Sequence, residues 1–450
     1  MLGTIIGIEE DTVLLKLSIN LNDFQSLINM HVVMEDSSKM LVGEISDIKD
    51  NIAYINLVGE IQNNEFVFGV IKKPSFGAAV KLISKEKIPM IISVPEYAEK
   101  EDIYIGDSPI YSGVRIGFNI NSFFANHFAV FGSTGSGKSW GVAKLIQSIF
   151  DKQNTVAYRA SIFIFDAYGE YHSAFKNINE KVPEVSFKSY TTNTKFSETE
   201  VLKIPLWLLS VDDIALLLNA ESTAQIPIIE KALKFVGLFV REEDEVKTAK
   251  NDIIARAIID ILSSGRSSAQ IRDQIFSVLS TYHTSDLNLE AEIYQPGYTR
   301  SLKQCLLIDE TGKIREMELL TNFLQSFLDD SYELILSDGT VKYGLKDLAN
   351  ALDFALISEG ALSSDKVFDN NNVLKVRLNS LINGDYAKFF DFEDYLSKDD
   401  YIKGLLTASN GRKAQIINFN INYIDDRFAK IITKIYSLSV NFITITILFT

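Results

Sequence analysis

Residues 128–146 read FAVFGSTGSGKSWGVAKLI. An apolar run gives way to glycines and small polar residues, then to a lysine–serine pair and an amphipathic run. The segment Gly132, Ser133, Thr134, Gly135, Ser136, Gly137, Lys138 and Ser139 satisfies the phosphate-loop pattern G-x-x-x-x-G-K-[ST] at every fixed position. Glycine at 135 and 137 permits backbone angles closed to other residues, so successive N–H groups turn inward toward an anion. A helix opening at Lys138 adds the positive end of its dipole. Lys138 then supplies a mobile point charge to the β- and γ-phosphates, and the Ser139 hydroxyl a ligand to Mg²⁺. Trp140, next in the chain, is grouped with the loop as a nucleotide contact. The pattern requires a strand before and a helix after. FAVF has strand texture, and Val142, Leu145, Ile146, Ile149 and Phe150 fall on one helical face. The reading is a site for a nucleoside triphosphate with Mg²⁺.

Hydrolysis also needs a carboxylate for the metal and one to orient water, both at the end of a buried apolar strand beside the loop. Two places qualify. SIFIFDAYGEY at 161–171 ends its apolar run in Asp166, with Glu170 four residues on. QCLLIDETGKIREMEL at 304–319 carries Asp309 and Glu310, but it reads as a hairpin with DETG in a solvated turn. Asp166 and Glu170 are the better placed, because their strand follows the loop's helix directly; helix capping by Asp166 is the structural alternative.

Outward from the loop, the chain of 450 residues is long enough for about two or three domains of roughly 150 residues. A formal charge of −15 argues against a surface that coats nucleic acid everywhere. It leaves room for a locally basic groove. One cysteine, Cys305, and four histidines give no disulfide and no zinc-ligand spacing. The start, MLGTIIGIEEDTVLL, is not a signal peptide, and no run of ~20 apolar residues indicates a membrane span. A cytoplasmic protein is expected.

Residues 1–95 read as short strands (TIIGIEE, TVLLKLS, HVVMED, KMLVGEIS, IAYINLVGEI, AAVKLIS) separated by turn residues, which suggests a small antiparallel β-barrel. Residues 96–200 carry the loop, its helix and SIFIFD, the βαβ pattern of a parallel sheet covered by helices. Residues 201–405 are mainly helical, interrupted by hairpin patterns at 305–319 and 332–345, and read as an insertion. Residues 406–450 return to the sheet with AQIINFN at 414–420 and a helix from Asp425 to Leu438, as an incomplete second part of the same domain. Trp207 reads as a core anchor, Arg412 and Lys413 as a surface turn, the acid run at 242–245 as a solvated loop or helix start, and His172 as structural.

NHFAVFGSTGSGKSWGVAKLI, IFIFDAYGEYHSAF, LKIPLWLLS and KAQIINFN, in that order, resemble the HerA family of ring-forming ATPases, relatives of FtsK-type motors. The resemblance implies an α/β fold with a RecA-like P-loop NTPase core, a largely helical insertion and a small antiparallel β-barrel ahead of it. It implies ATP and Mg²⁺ as cofactors and a homo-hexamer that couples hydrolysis to translocation of double-stranded DNA through the ring pore. It further implies an effector on the barrel, either a nuclease in DNA end processing or a sirtuin-type NAD-consuming protein in antiviral defence. Lys138 and Ser139 match the family's phosphate and Mg²⁺ positions. Asp166, Gly169, Glu170 and Tyr171 match its D-x-x-G-E-Y element, which makes Lys138 and Glu170 the candidate catalytic residues, and His127 matches the N-H-F strand entry. The family pattern also has a later strand ending in Asp/Glu-Glu-Ala-His; FITITILFT at 442–450 has strand texture and no acid. A nucleotide-gated hexameric scaffold with little hydrolysis of its own is therefore the alternative to a motor.

Overall fold

The structure is a computed structural model that describes residues 1–21, 26–36, 39–92, 102–124, 128–150, 161–195, 199–220, 222, 224–330, 339–360, 365–438 and 444–447. The chain divides into two compact units, 1–160 with 173–185, and 161–172 with 186–450.

The first unit opens with alternating sequence, and alternation builds a half-buried sheet. Its strands are β1 (Gly3–Glu9), β2 (Thr12–Leu17), β3 (His31–Asp36), β4 (Lys39–Lys49), β5 (Ile52–Gln62), β6 (Glu65–Phe68) and β7 (Ala79–Leu82). They form an antiparallel sheet in the order β1-β2-β5-β4-β3-β7, with β6 on β5. In β2, Val13, Leu15 and Leu17 point inward while Lys16 is exposed. Val32, Met34, Leu41, Ile45, Ala53, Ile55 and Val80 complete the same core. The sheet curls until its two ends meet: the Leu2 amide donates to the Val80 carbonyl at 2.8 Å. β6 was not legible in the sequence because EFVF is short and exposed and contributes little to the core.

β8 (Asp102–Asp107) and β9 (Arg115–Asn119) pair as a hairpin in the same unit, followed by a short helix, Ile120–Phe124. The expectation of a strand at 128–131 is not met. Among the described residues that segment has no ladder partner, and Val130 and Phe131 are exposed, Phe131 at 91%. An apolar run becomes a strand only where a neighbouring edge takes up its backbone groups. The helix Lys138–Phe150 forms as read, with Val142, Leu145, Ile146, Ile149 and Phe150 all buried.

The second unit is built on β10 (Ser161–Asp166), β11 (Phe187–Thr191), β12 (Glu200–Val201), β15 (Ile416–Asn420) and β16 (Thr444–Ile447), paired in parallel in the order β12-β11-β15-β10-β16. Every residue of β10 is buried, as a parallel strand covered on both faces requires. One face, with Phe163, Phe165, Tyr190, Ile417 and Phe419, joins a large apolar core with the helices. Phe419 stacks on Phe165, Tyr190 and Tyr436 with centroids 5.4, 5.6 and 4.6 Å away. Those helices lie between β12 and β15 in the chain, among them Gln225–Phe239, Glu243–Leu262, Ser268–Thr281, Leu345–Gly360 and Asp365–Asn383. Trp207 is a core anchor, with its indole N–H bonded to the Leu396 carbonyl at 2.9 Å. A hairpin among them, β13 (Glu292–Gln295) with β14 (Tyr298–Ser301), was missed in the sequence although Pro296-Gly297 marks its turn, while the hairpin read at 305–319 forms as a tight turn with an antiparallel bridge between Ile308 and Ile314. Half of the pattern at 332–345, residues 332–338, lies outside the described residues.

Candidate functional site

The sequence-selected residues divide between the units: 132–140 belong to the first, Asp166 and Glu170 to the second.

In the loop, Gly135 and Gly137 take positive φ, +81° and +91°, the conformation that only glycine adopts without strain. Gly132 sits close beneath the loop: a Cβ there would lie 2.4 Å from the Ser136 hydroxyl oxygen, which would have to turn away. The Ser136 amide donates to the Ser133 carbonyl at 3.1 Å and tightens the turn. The Lys138 ammonium donates to the Gly132 and Ser133 carbonyls at 2.7 and 3.0 Å, which fixes a positive charge against the loop. Among the described residues, the amides of Gly135, Gly137, Lys138 and Ser139 have no protein acceptor. No acidic residue occupies the first turn of the helix that starts at Lys138. Residues 131–137 are exposed and Lys138 and Ser139 half-buried, so the donors are open to a ligand.

A polyphosphate fits this donor set: several amides, one ammonium, a hydroxyl and a helix start whose first turn carries no carboxylate. Among the described residues no cluster of three or more His, Cys, Asp or Glu side chains could cage a metal. A Mg²⁺ arriving with nucleotide would be held by phosphate oxygens and the Ser139 hydroxyl, the arrangement that suits this ion. Trp140 is 85% exposed, on the second turn-forming residue after Lys138.

In the second unit Asp166 is 1% exposed. Its Oδ1 accepts the Glu170 amide at 3.0 Å and its Oδ2 the Tyr171 amide at 2.9 Å, so it caps the short helix Tyr171–Phe175. The side chain of Glu170 is exposed. Gly169 has φ +74°, and a Cβ there would lie 3.1 Å from Asn420 Nδ2. Asn420, at the end of β15, is in register with Asp166 on one side and Thr191 on the other. Its part in this turn was not read from the sequence, because only the parallel register brings 420 to 166. His172 packs against Phe187, ring centroids 5.8 Å apart. His127 lies outside the described residues.

The other acid pair behaves as a turn. Asp309 Oδ1 accepts from the Thr311 amide at 2.8 Å, the Thr311 hydroxyl at 2.6 Å and the Lys313 amide at 3.1 Å. The Thr311 hydroxyl bond, with the Lys313 amide next, holds its carboxyl below the usual carboxylate range. Ile308 and Ile314 bridge across it. Arg412 and Lys413 are exposed beside Gly411, whose φ is +76°.

Residues 103–302 match the family model described as the central domain of helicase HerA. A DNA double-strand break repair helicase HerA of Saccharolobus solfataricus is 37% identical over 136 residues, 30% of this chain and 24% of the relative. Its namesake in Pyrococcus furiosus is 27% identical over 184 residues, 40% of this chain and 28% of the relative. A probable helicase of Methanocaldococcus jannaschii is 24% identical over 233 residues, 49% of this chain and 40% of the relative. The matched segments thus span between 24% and 40% of these relatives' own length. No helix among the described residues is long and apolar enough to cross a membrane.

Proposed function

Because this chain belongs to the HerA family, we propose that it is a P-loop ATPase of HerA type, a ring-forming motor that couples ATP hydrolysis to movement along double-stranded DNA. The observation that carries this reading is the loop at 132–139, with left-handed glycines at 135 and 137, open amides, and the Lys138 ammonium held at its carbonyls. When ATP and Mg²⁺ bind, they supply the polarised phosphoryl group and its charge neutralisation. Within the loop from Gly132 to Ser139 the amides of Gly135, Gly137, Lys138 and Ser139 hold the phosphates, Lys138 orients the outer ones, Ser139 offers its hydroxyl to the ion, and Trp140 borders the nucleotide. Glu170 orients the attacking water. The core is RecA-like, assembled from 96–200 and 406–450 around the helical segment 201–405, in a cytoplasmic hexamer.

The curled sheet at 1–95 is proposed as the docking face for an effector, a nuclease or a sirtuin-type NAD-consuming enzyme, in DNA end processing or antiviral defence. Val67, Phe68, Ile71 and Phe76, close together in the chain, support this, being 52%, 77%, 94% and 62% exposed.

The test is ATP turnover with and without linear double-stranded DNA, together with the mass of the assembled protein. The motor reading expects DNA-stimulated turnover that vanishes in Lys138→Ala, and about six copies per particle. Nucleotide-dependent assembly with an effector and no DNA-stimulated turnover selects the alternative, a nucleotide-gated hexameric scaffold. A strict monomer with nucleotide and effector present removes both.

A further inference from the structure

Asp166 ends a buried strand next in sequence to the loop's helix, which marks it as a nucleotide or metal contact. Its bonds describe another task. Both carboxylate oxygens accept backbone amides of its own turn, at 3.0 Å from Glu170 and 2.9 Å from Tyr171, and the residue is 1% exposed. Its carbonyl accepts the Ile421 amide at 3.0 Å, which ties the same residue to the end of β15. From β15, Asn420 closes the turn on its other side. The Asn420 Oδ1 is engaged by the Asn422 amide at 3.1 Å, which points its Nδ2 at Gly169, where a Cβ would stand 3.1 Å away. Four successive residues, from 167 to 170, are therefore clamped between a buried carboxylate and a strand-end amide, and the exposed residue of that clamped turn with a carboxylate is Glu170.

We infer that Asp166 is a positioning residue, not a metal ligand: with Asn420 as abutment, it holds the turn that presents the Glu170 carboxylate. This rests on the ATPase reading above, and on Glu170 acting in hydrolysis. A carboxylate that must orient water is useful only at a fixed backbone position, because a misplacement of about 1 Å costs about 10²-fold in rate. The two amide bonds of Asp166 supply that fixity, and Gly169 permits the left-handed φ and the close approach of Asn420 that the turn requires.

The test combines hydrogen exchange with a double-mutant cycle on the full chain. Wild type, Asp166→Ala, Asp166→Asn, Glu170→Gln and the double variant Asp166→Ala/Glu170→Gln are compared for ATP turnover, nucleotide affinity, Mg²⁺ half-saturation and exchange of the Glu170 and Tyr171 amides. Asp166→Ala is expected to lose about 10²-fold in kcat with nucleotide affinity and Mg²⁺ half-saturation unchanged. Both amides lose protection, and the substitution has less than a twofold further effect in the Glu170→Gln background. Asp166→Asn, which keeps one acceptor oxygen, falls between and stands in if the alanine variant does not fold. Retained protection in Asp166→Ala, a tenfold rise in Mg²⁺ half-saturation, or a full multiplicative loss on top of Glu170→Gln overturns the assignment. Full activity of Glu170→Gln, with protection still lost in Asp166→Ala, overturns the role of Glu170 and leaves the clamp standing. Absence of turnover in wild type defeats the ATPase reading, and the exchange data then decide the clamp alone.

Discussion

The loop at 132–139 and the turn at 166–171 both place small residues, a left-handed glycine and a charged side chain before a helix, and they treat their amides in opposite ways. In the loop the charged group is a lysine. It bonds to carbonyls, and among the described residues the amides of Gly135, Gly137 and Ser139 meet no protein acceptor. In the turn it is an aspartate, which takes up the amides of Glu170 and Tyr171. The glycines differ too. A Cβ at Gly135 or Gly137 would meet nothing within 4 Å, whereas one at Gly169 would press on Asn420. A turn whose donors are consumed internally is a structural part; a turn whose donors are left over is a receptor for an anion.

The sharpest way to break this contrast is Lys138→Ala. Loss of the ammonium is expected to weaken binding of a fluorescent triphosphate by roughly 10² or more, since a charge-assisted contact to phosphate disappears. The urea midpoint should stay near wild type, because the side chain is not part of a core. Equal loss of stability and binding erases the distinction drawn here. Paired alanine substitutions come next. Gly135→Ala has open space, so it should cost about 1 kcal/mol through φ alone yet remove most triphosphate affinity. Gly169→Ala adds a steric clash with Asn420 and should lower unfolding free energy by about 2 kcal/mol while leaving triphosphate affinity intact. Denaturant unfolding and binding titrations on both variants check this; a reversed pattern would show the turn, not the loop, to be the receptor.

A smaller effect comes from a second internally spent carboxylate. Asp213 completes a capping box with Ser210 and pairs with Lys434 at 2.7 Å. Burial on its own raises its pKa, but the Lys434 ammonium and the Ser210 hydroxyl and amide outweigh that and leave it lowered. A depressed carboxylate stabilises the fold above its unfolded pKa and loses that contribution as pH falls through the folded value. Asp213→Asn should therefore cost roughly 1–2 kcal/mol at pH 7. The gap to wild type should stay constant down to about pH 5 and close below about pH 4. Thermal melts across that range measure it, and a gap that widens in acid would mean the sign is wrong.

How far each feature was legible depends on how local its cause is. The phosphate loop, its helix and the alternation of β2 follow from side-chain types at fixed spacing. Each could be read from residues within a few positions of one another. The segment 128–131 shows the limit of that reading: its apolar composition suits a strand, but only a partner edge makes one. The turn at 309–313 was legible because its carboxylate binds amides two and four residues away. Asn420 was not, since it reaches Gly169 through parallel pairing of strands about 250 positions apart in the chain.

Sequence by itself determined the donor set of the loop at 132–139, because glycine's freedom, a lysine charge and a helix start act over eight consecutive residues. It also determined which strands alternate and which are buried throughout, since side-chain period and apolar run length are properties of the chain. Tertiary structure alone decided what Asp166 does. A carboxylate at a strand end can hold a metal, orient water or cap a turn, and the choice depends on which donors the packed fold brings within 3 Å of its two oxygens.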